Sequence, residues 1–142
     1  MLSRKYLALP LTAVLAAAPL TVEAEPDNPA MTYLDQGTYE GVPYLSGGIG
    51  LVERRYITSA LEPGYNLKLE FAEANGDYLA DIGVRIVDDN GDTVLEVESA
   101  GPWLLTRLGP GKYTVEATAD GRTITKRVTV GRGSPRVVFK DW

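Results

Sequence analysis

The chain has 142 residues, is 44% hydrophobic and 23% charged, and carries a formal net charge of −5. It contains neither cysteine nor histidine. That excludes disulfide staples and thiol chemistry, rules out the usual Ser–His and Cys–His triads, and removes the commonest ligand for zinc, copper or nickel. An acidic balance without a basic stripe argues against nucleic acid as a partner, because binding that polyanion needs clustered positive charge to displace counterions.

In chain order, residues 1–24 have the three-part pattern of a secretory signal peptide. Arg4 and Lys5 form a short positive region, Leu7 to Leu20 is apolar and uncharged, and Val22-Glu23-Ala24 supplies a cleavage site after Ala24. The apolar run carries Pro10 and Pro19 and is shorter than the about 20 residues a spanning helix needs. The expected mature chain, Glu25 to Trp142, keeps 12 basic and 18 acidic side chains, a net charge of −6. No second apolar segment follows, so no integral membrane segment is expected in it. The periplasm is the expected compartment, with secretion to the medium as the alternative.

Residues 25–48 are rich in Pro, Gly, Asp, Asn and Tyr and sustain no period of 2 or 3.6. They read as a flexible arm. Tyr33, Tyr39 and Tyr44 are spaced through it, either to pack the arm on the domain or to anchor a partner. Ser46-Gly47-Gly48-Ile49-Gly50 lacks the lysine and Ser/Thr of a phosphate loop and reads as a hinge. Over residues 49–62 a short helix is predicted. Ile49, Val52, Tyr56 and Ala60 share one face, with Ile57 and Leu61 beside it, and Pro63-Gly64 ends the run.

Residues 65–142 read as strand upon strand. Tyr65, Leu67, Leu69 and Phe71 alternate with polar residues, and Asn75-Gly76 breaks the run. Ile82, Val84 and Ile86 alternate next, then Asp88-Asp89-Asn90-Gly91 turns the chain. Thr93 to Val97 and Trp103 to Leu108 follow. Tyr113, Val115, Ala117 and Ala119 alternate, and Asp120-Gly121 is a two-residue hairpin signal, since both central residues of a type I′ turn need positive φ. Ile124, Val128 and Val130 lie on the return strand, and Arg136 to Phe139 closes the set. Lys126 shares the parity of Ile124 and Val128, which implies a bulge or an open edge where its ammonium reaches water. These seven short strands predict an all-β fold, a seven-stranded Greek-key sandwich of the immunoglobulin or transthyretin kind with one short N-terminal helix.

Leu79-Ala80-Asp81-Ile82-Gly83-Val84-Arg85-Ile86-Val87-Asp88, with Asp89-Asn90-Gly91-Asp92-Thr93-Val94, resembles the opening of carboxypeptidase regulatory-like domains. Leu108-Gly109-Pro110-Gly111-Lys112-Tyr113-Thr114-Val115 resembles their L-x-P-G-x-Y-x-V hairpin, in which Pro110 presets φ and Gly111 permits the reversal. The resemblance runs from about Tyr65 to Val130. It implies a transthyretin-like sandwich and the habit of accompanying other proteins, not an activity.

Counted from Asp88, the sixth and twelfth positions of a calcium loop hold Thr93 and Ser99 instead of Gly and Glu, so the acidic cluster reads as a hairpin turn. No metal, cofactor or catalytic residue is assigned. Trp103, after Gly101-Pro102, fills the core or, if exposed, stacks on a sugar ring or a partner. Trp142 ends the chain like the terminal aromatic of an outer-membrane barrel, but these strands are shorter than the about 9–11 residues a barrel needs. The leading expectation is a non-catalytic accessory domain that binds another envelope protein. The runner-up is a small-ligand or carbohydrate-binding module using exposed aromatics, and an enzyme built on Asp, Glu, Lys or Tyr is third.

Overall fold

The computed structural model describes residues 34–133, 135–140 and 142, with the backbone alone for 60–63. The expected signal peptide and Tyr33 lie outside the described residues, as do the side chains of Ala60 and Leu61.

Nine strands and one helix are described. They are β1 (Asp35–Tyr39), β2 (Val42–Gly47), α1 (Leu51–Gly64), β3 (Leu67–Phe71), β4 (Ile82–Asp88), β5 (Thr93–Ser99), β6 (Trp103–Thr106), β7 (Gly111–Ala119), β8 (Arg122–Val130) and β9 (Arg136–Phe139). They form a five-stranded sheet of order β1-β2-β6-β3-β9 and a four-stranded sheet of order β5-β4-β7-β8. Every pairing is antiparallel except β3 with β9. The period-2 pattern decides what lies between the sheets. Leu67, Leu69, Phe71, Leu104 and Phe139 from the first meet Ile82, Val84, Ile86, Leu95, Val115 and Val130 from the second in one buried core.

The expected turns are present. Asp120 and Gly121 have φ of 47° and 76°, the two positive values a type I′ hairpin demands. Asp88 Oδ1 accepts the N–H groups of Asn90 and Asp92 at 2.9 and 3.0 Å, so the acidic cluster spends its first carboxylate on its own turn. In the Leu108–Tyr113 segment the Tyr113 hydroxyl donates to the Gly109 carbonyl at 2.6 Å, tying the turn to the strand it starts. Replacing Tyr113 by Phe is expected to lower unfolding free energy by about 1 kcal/mol, read from urea denaturation. A loss below the error of that method would show that the hydroxyl does not hold the turn.

Four expectations are corrected. The strand count is nine, not seven, because residues 35–47 of the expected arm form a hairpin. Its turn is Glu40-Gly41, with φ of 45° and 84°. β2 pairs with β6 from Tyr44↔Thr106 to Gly47↔Trp103, so Pro43 stands beyond the end of that ladder. The helix starts at Leu51 and ends at Gly64, two residues later than expected at each end. Among its described side chains the buried ones are Glu53 and Ile57, whereas Ile49, Val52 and Tyr56 of the expected apolar face are exposed.

Lys126 needs no bulge. The β7–β8 register is unbroken through Val115↔Lys126, and β8 is a sheet edge. The ammonium donates to the Val138 carbonyl at 2.6 Å, so the cation crosses from the edge of one sheet to the edge of the other.

Candidate functional site: the outer face around helix α1

The helix is held by its first turn. Gly47 and Gly48 turn the chain with φ of 153° and 92°, values that L side chains rarely adopt. The Glu53 carboxylate, 1% exposed, accepts the N–H groups of Gly48 and Ile49 at 3.0 and 3.1 Å. The glycine-rich lead-in expected to act as a hinge is therefore pinned to the first turn of the helix by the chain's own glutamate. One turn on, Ile57 is fully buried with Leu45, Tyr65 and Leu105 in a second small core on the outer side of the five-stranded sheet. With Glu53 and Ile57 facing the sheet, Leu51, Val52, Arg55, Tyr56, Thr58 and Ser59 are exposed on the other sides of the helix.

The consequence is an apolar surface. Among the described residues the exposed large hydrophobics are Ile49, Leu51, Val52, Tyr56 and Tyr78. Four of them belong to α1 or its lead-in. The fifth, Tyr78, lies under the Arg54 guanidinium, 4.3 Å from the ring centroid. Arg54 also donates its Nε–H to the Gly48 carbonyl at 2.6 Å, which ties the helix, its lead-in and the β3–β4 connection together. Leu51 is 70% exposed. It borders a shallow groove of about 360 Å³ lined also by Arg54, Arg55, Thr58 and Ser59.

Beside this apolar face lies a charged one. Glu70 on β3 takes two hydrogen bonds from Arg136 on β9, at 2.6 and 2.9 Å, with the Lys68 ammonium 3.6 Å away. Burial alone would raise the Glu70 carboxyl, but the Arg136 hydrogen bonds and the two positive charges outweigh it and hold it below the ordinary glutamate value. Burial pushes the Lys68 ammonium below its ordinary value, against the pull of Glu70. That ammonium sits over the Trp103 ring, 3.2 Å from its centroid.

A depressed carboxylate pKa stabilises the fold above the ordinary glutamate range, and the contribution is lost as pH falls through the depressed folded value. Replacing Glu70 by Gln should cost about 1–2 kcal/mol at neutral pH, less than a fully buried pair because the Arg136 side chain is 60% exposed. It should also flatten the fall in the urea midpoint as pH drops below the ordinary glutamate range. An acid limb as steep as that of the wild type would remove Glu70 from that role.

Of the aromatic residues expected at a site, Tyr39 and Tyr44 lie against one core and Trp103 against the other. Tyr39 and Tyr44 pack against the main core from β1 and β2. Tyr44 covers Gly37, its cross-strand partner, and donates to Asp35 at 3.4 Å. Burial first, and Asp35 second, keep that phenol above its ordinary pKa. Trp103 is half-buried on the outer face beside α1, with Lys68 on its ring and Gly48 packed against it. Its ring is covered by this chain's own groups instead of lying open to a sugar. The surface that does form was missed because its apolar residues were assigned to the buried side. The available signal was Glu53, three residues after Gly50, whose carbonyl accepts the first helical bond from the Arg54 N–H.

Among the described residues no group of three or more acidic side chains could hold a metal ion, and no helix is long and apolar enough to cross a membrane. The α1 face offers apolar area beside the Arg54 and Arg55 guanidinium groups. No curated protein matches the chain. Residues 65–139, from the residues leading into β3 through the end of β9, match the model of the Rhizobiales growth-associated tandem repeat domain. The match spans more than half of the sequence and leaves out β1, β2 and α1, and the chain belongs to that family.

Proposed function

We propose that the protein is an exported, non-catalytic accessory domain of the cell envelope that binds another protein there through the outer face of α1. The observation that carries this reading is the gathering of the exposed large hydrophobics on and against one helix. Such a patch is costly to leave in water, and Tyr and Arg at its rim are the residue types that anchor interfaces. The signal-peptide pattern of residues 1–24 supports export. The description of the family as growth-associated fits an envelope role. For the strands β3 to β9 we propose the Greek-key, transthyretin-like sandwich of the carboxypeptidase regulatory-like domains, on the strength of the Leu108–Val115 hairpin.

The test is crosslinking in the native envelope with a photoreactive residue placed at position 51, followed by quantitative mass spectrometry. One strongly enriched envelope protein, lost when Tyr56 is changed to Asp, supports the reading. The same enrichment from a probe at Asn90, exposed in the β4–β5 turn, or none from position 51, sinks it.

A further inference from the structure

We infer that α1 seats on the outer face of the four-stranded sheet of a second copy of this chain, so that copies stack face to back. The inference rests on reading the α1 face as a protein-binding surface and names its occupant.

The receiving surface is a depression of about 450 Å³ over strands β5, β4 and β7. Gly83 forms its floor. The cross-strand rows Glu98–Gly83–Thr118 and Glu96–Arg85–Glu116 form its walls. A glycine within a strand leaves a hollow where a side chain would stand. A Cβ there would meet Thr118 only at an ordinary 3.8 Å, so the space is free. Arg85 is committed to Glu116 at 3.2 Å and to the Thr93 hydroxyl at 3.0 Å. Among the described residues Glu96 and Glu98 then carry no ion pair, and the hollow keeps an excess of negative charge.

The α1 face is the complement. Leu51 protrudes, Arg55 is exposed without an ion pair among the described residues, and the acid of this turn, Glu53, is buried. From Ile49 to Ser59 the helix therefore presents apolar and positive groups on a protein of net charge −5. Copies of an acidic protein repel each other unless opposite charges are segregated to the surfaces that meet. Here they are segregated to the two outer sides of the molecule, since α1 covers one sheet and the hollow opens on the other. No copy can close the contact on itself. Each copy keeps one helix and one hollow for a neighbour, the geometry of an open head-to-tail stack.

The experiment is analytical ultracentrifugation of the mature chain over a roughly hundredfold concentration range, at low and high salt. Concentration-dependent association that weakens with salt is expected. Arg55→Glu and Glu98→Lys should each weaken it by about tenfold or more, and Gly83→Val, which fills the hollow, should do the same. Arg55→Glu mixed with Glu98→Lys should associate again, because the reversed helix fits the reversed hollow. All three positions are exposed, and unchanged melting curves would show that the variants fold. A wild type that stays monomeric overturns the stacking, as does loss of association in Arg55→Glu but not in Glu98→Lys. If such a monomer binds anionic vesicles through α1, the occupant is lipid. If it still crosslinks an envelope protein from position 51, the stacking falls and the broader protein-binding reading stands. If crosslinking fails too, both fall.

Discussion

Replacing Gly101 by Ala is expected to cost about 3 kcal/mol or more, the upper range for forcing atoms into a packed site. Gly101 lies in the crossing from β5 to β6, directly over the end of β2. A Cβ there would fall on the Gly47 carbonyl group, with the Gly47 Cα only 2.8 Å away. The obstacle is backbone, so no side chain can swing aside. Gly47 cannot retreat either, because it is paired to Trp103 on β6 and its φ of 153° leads into the Gly48 turn. Behind that turn stands Glu53, whose carboxylate holds the Gly48 and Ile49 N–H groups and through them the start of α1. One methyl group should therefore loosen the helix as well as the hairpin. Urea denaturation followed by both far-ultraviolet circular dichroism and tryptophan fluorescence is the measurement, since Gly48 packs against the Trp103 ring. Gly83→Ala, where the added carbon makes ordinary contacts, should stay within about 0.5 kcal/mol of wild type. Equal effects at the two glycines would mean that the β2–β6 crossing is looser than its geometry says.

The strands β3 to β9 were legible because apolar residues recur at every second position along β3, β4 and β7, and the turns between strands have their own chemistry. Leu67, Leu69 and Phe71, then Ile82, Val84 and Ile86, fall on the buried face that their spacing dictates. The hairpin β1–β2 was hidden for local reasons. Pro43 and Gly37 are poor strand residues, and Glu40 is an unusual choice at φ of 45°. What makes these residues a hairpin is pairing with β6, some 60 positions away in sequence, and the cover that Tyr44 gives Gly37. Local pattern carries no information about such a partner.

The candidate site was misread for a different reason. Helical periodicity assumes that apolar residues turn inward, yet in α1 a carboxylate turns inward because two backbone N–H groups need it. Satisfying those donors rotates the helix and leaves Val52 and Tyr56 in water. The departure from the rule that apolar residues are buried is thus the feature that singles out the surface proposed for binding. Lys126 makes the same point on a smaller scale. Its place in an apolar row is explained by a carbonyl on another strand, Val138, and not by any neighbour in sequence.

Phe139→Ala is expected to cost about 3–5 kcal/mol, the range for emptying a buried aromatic site. Against a total of about 5–15 kcal/mol for a domain, that is enough to leave a visible unfolded fraction at moderate temperature. Phe139 is fully buried and its ring lies 5.5 Å from that of Phe71. It is also the last residue of β9, the single parallel partner of β3 among the described strands. Two further ties depend on where that strand lies, the Arg136–Glu70 pair and the Val138 carbonyl that accepts from Lys126. If the ring is what seats β9, removing it should weaken these ties as well. The acid limb assigned to Glu70 should then flatten in Phe139→Ala as it does in Glu70→Gln. Phe139→Leu keeps most of the volume and should cost much less, about 1–1.5 kcal/mol, with the acid limb intact. A large loss in Phe139→Ala with the Glu70 limb unchanged would instead show that β9 is held by its ladder to β3, and that the ring fills space without positioning the strand.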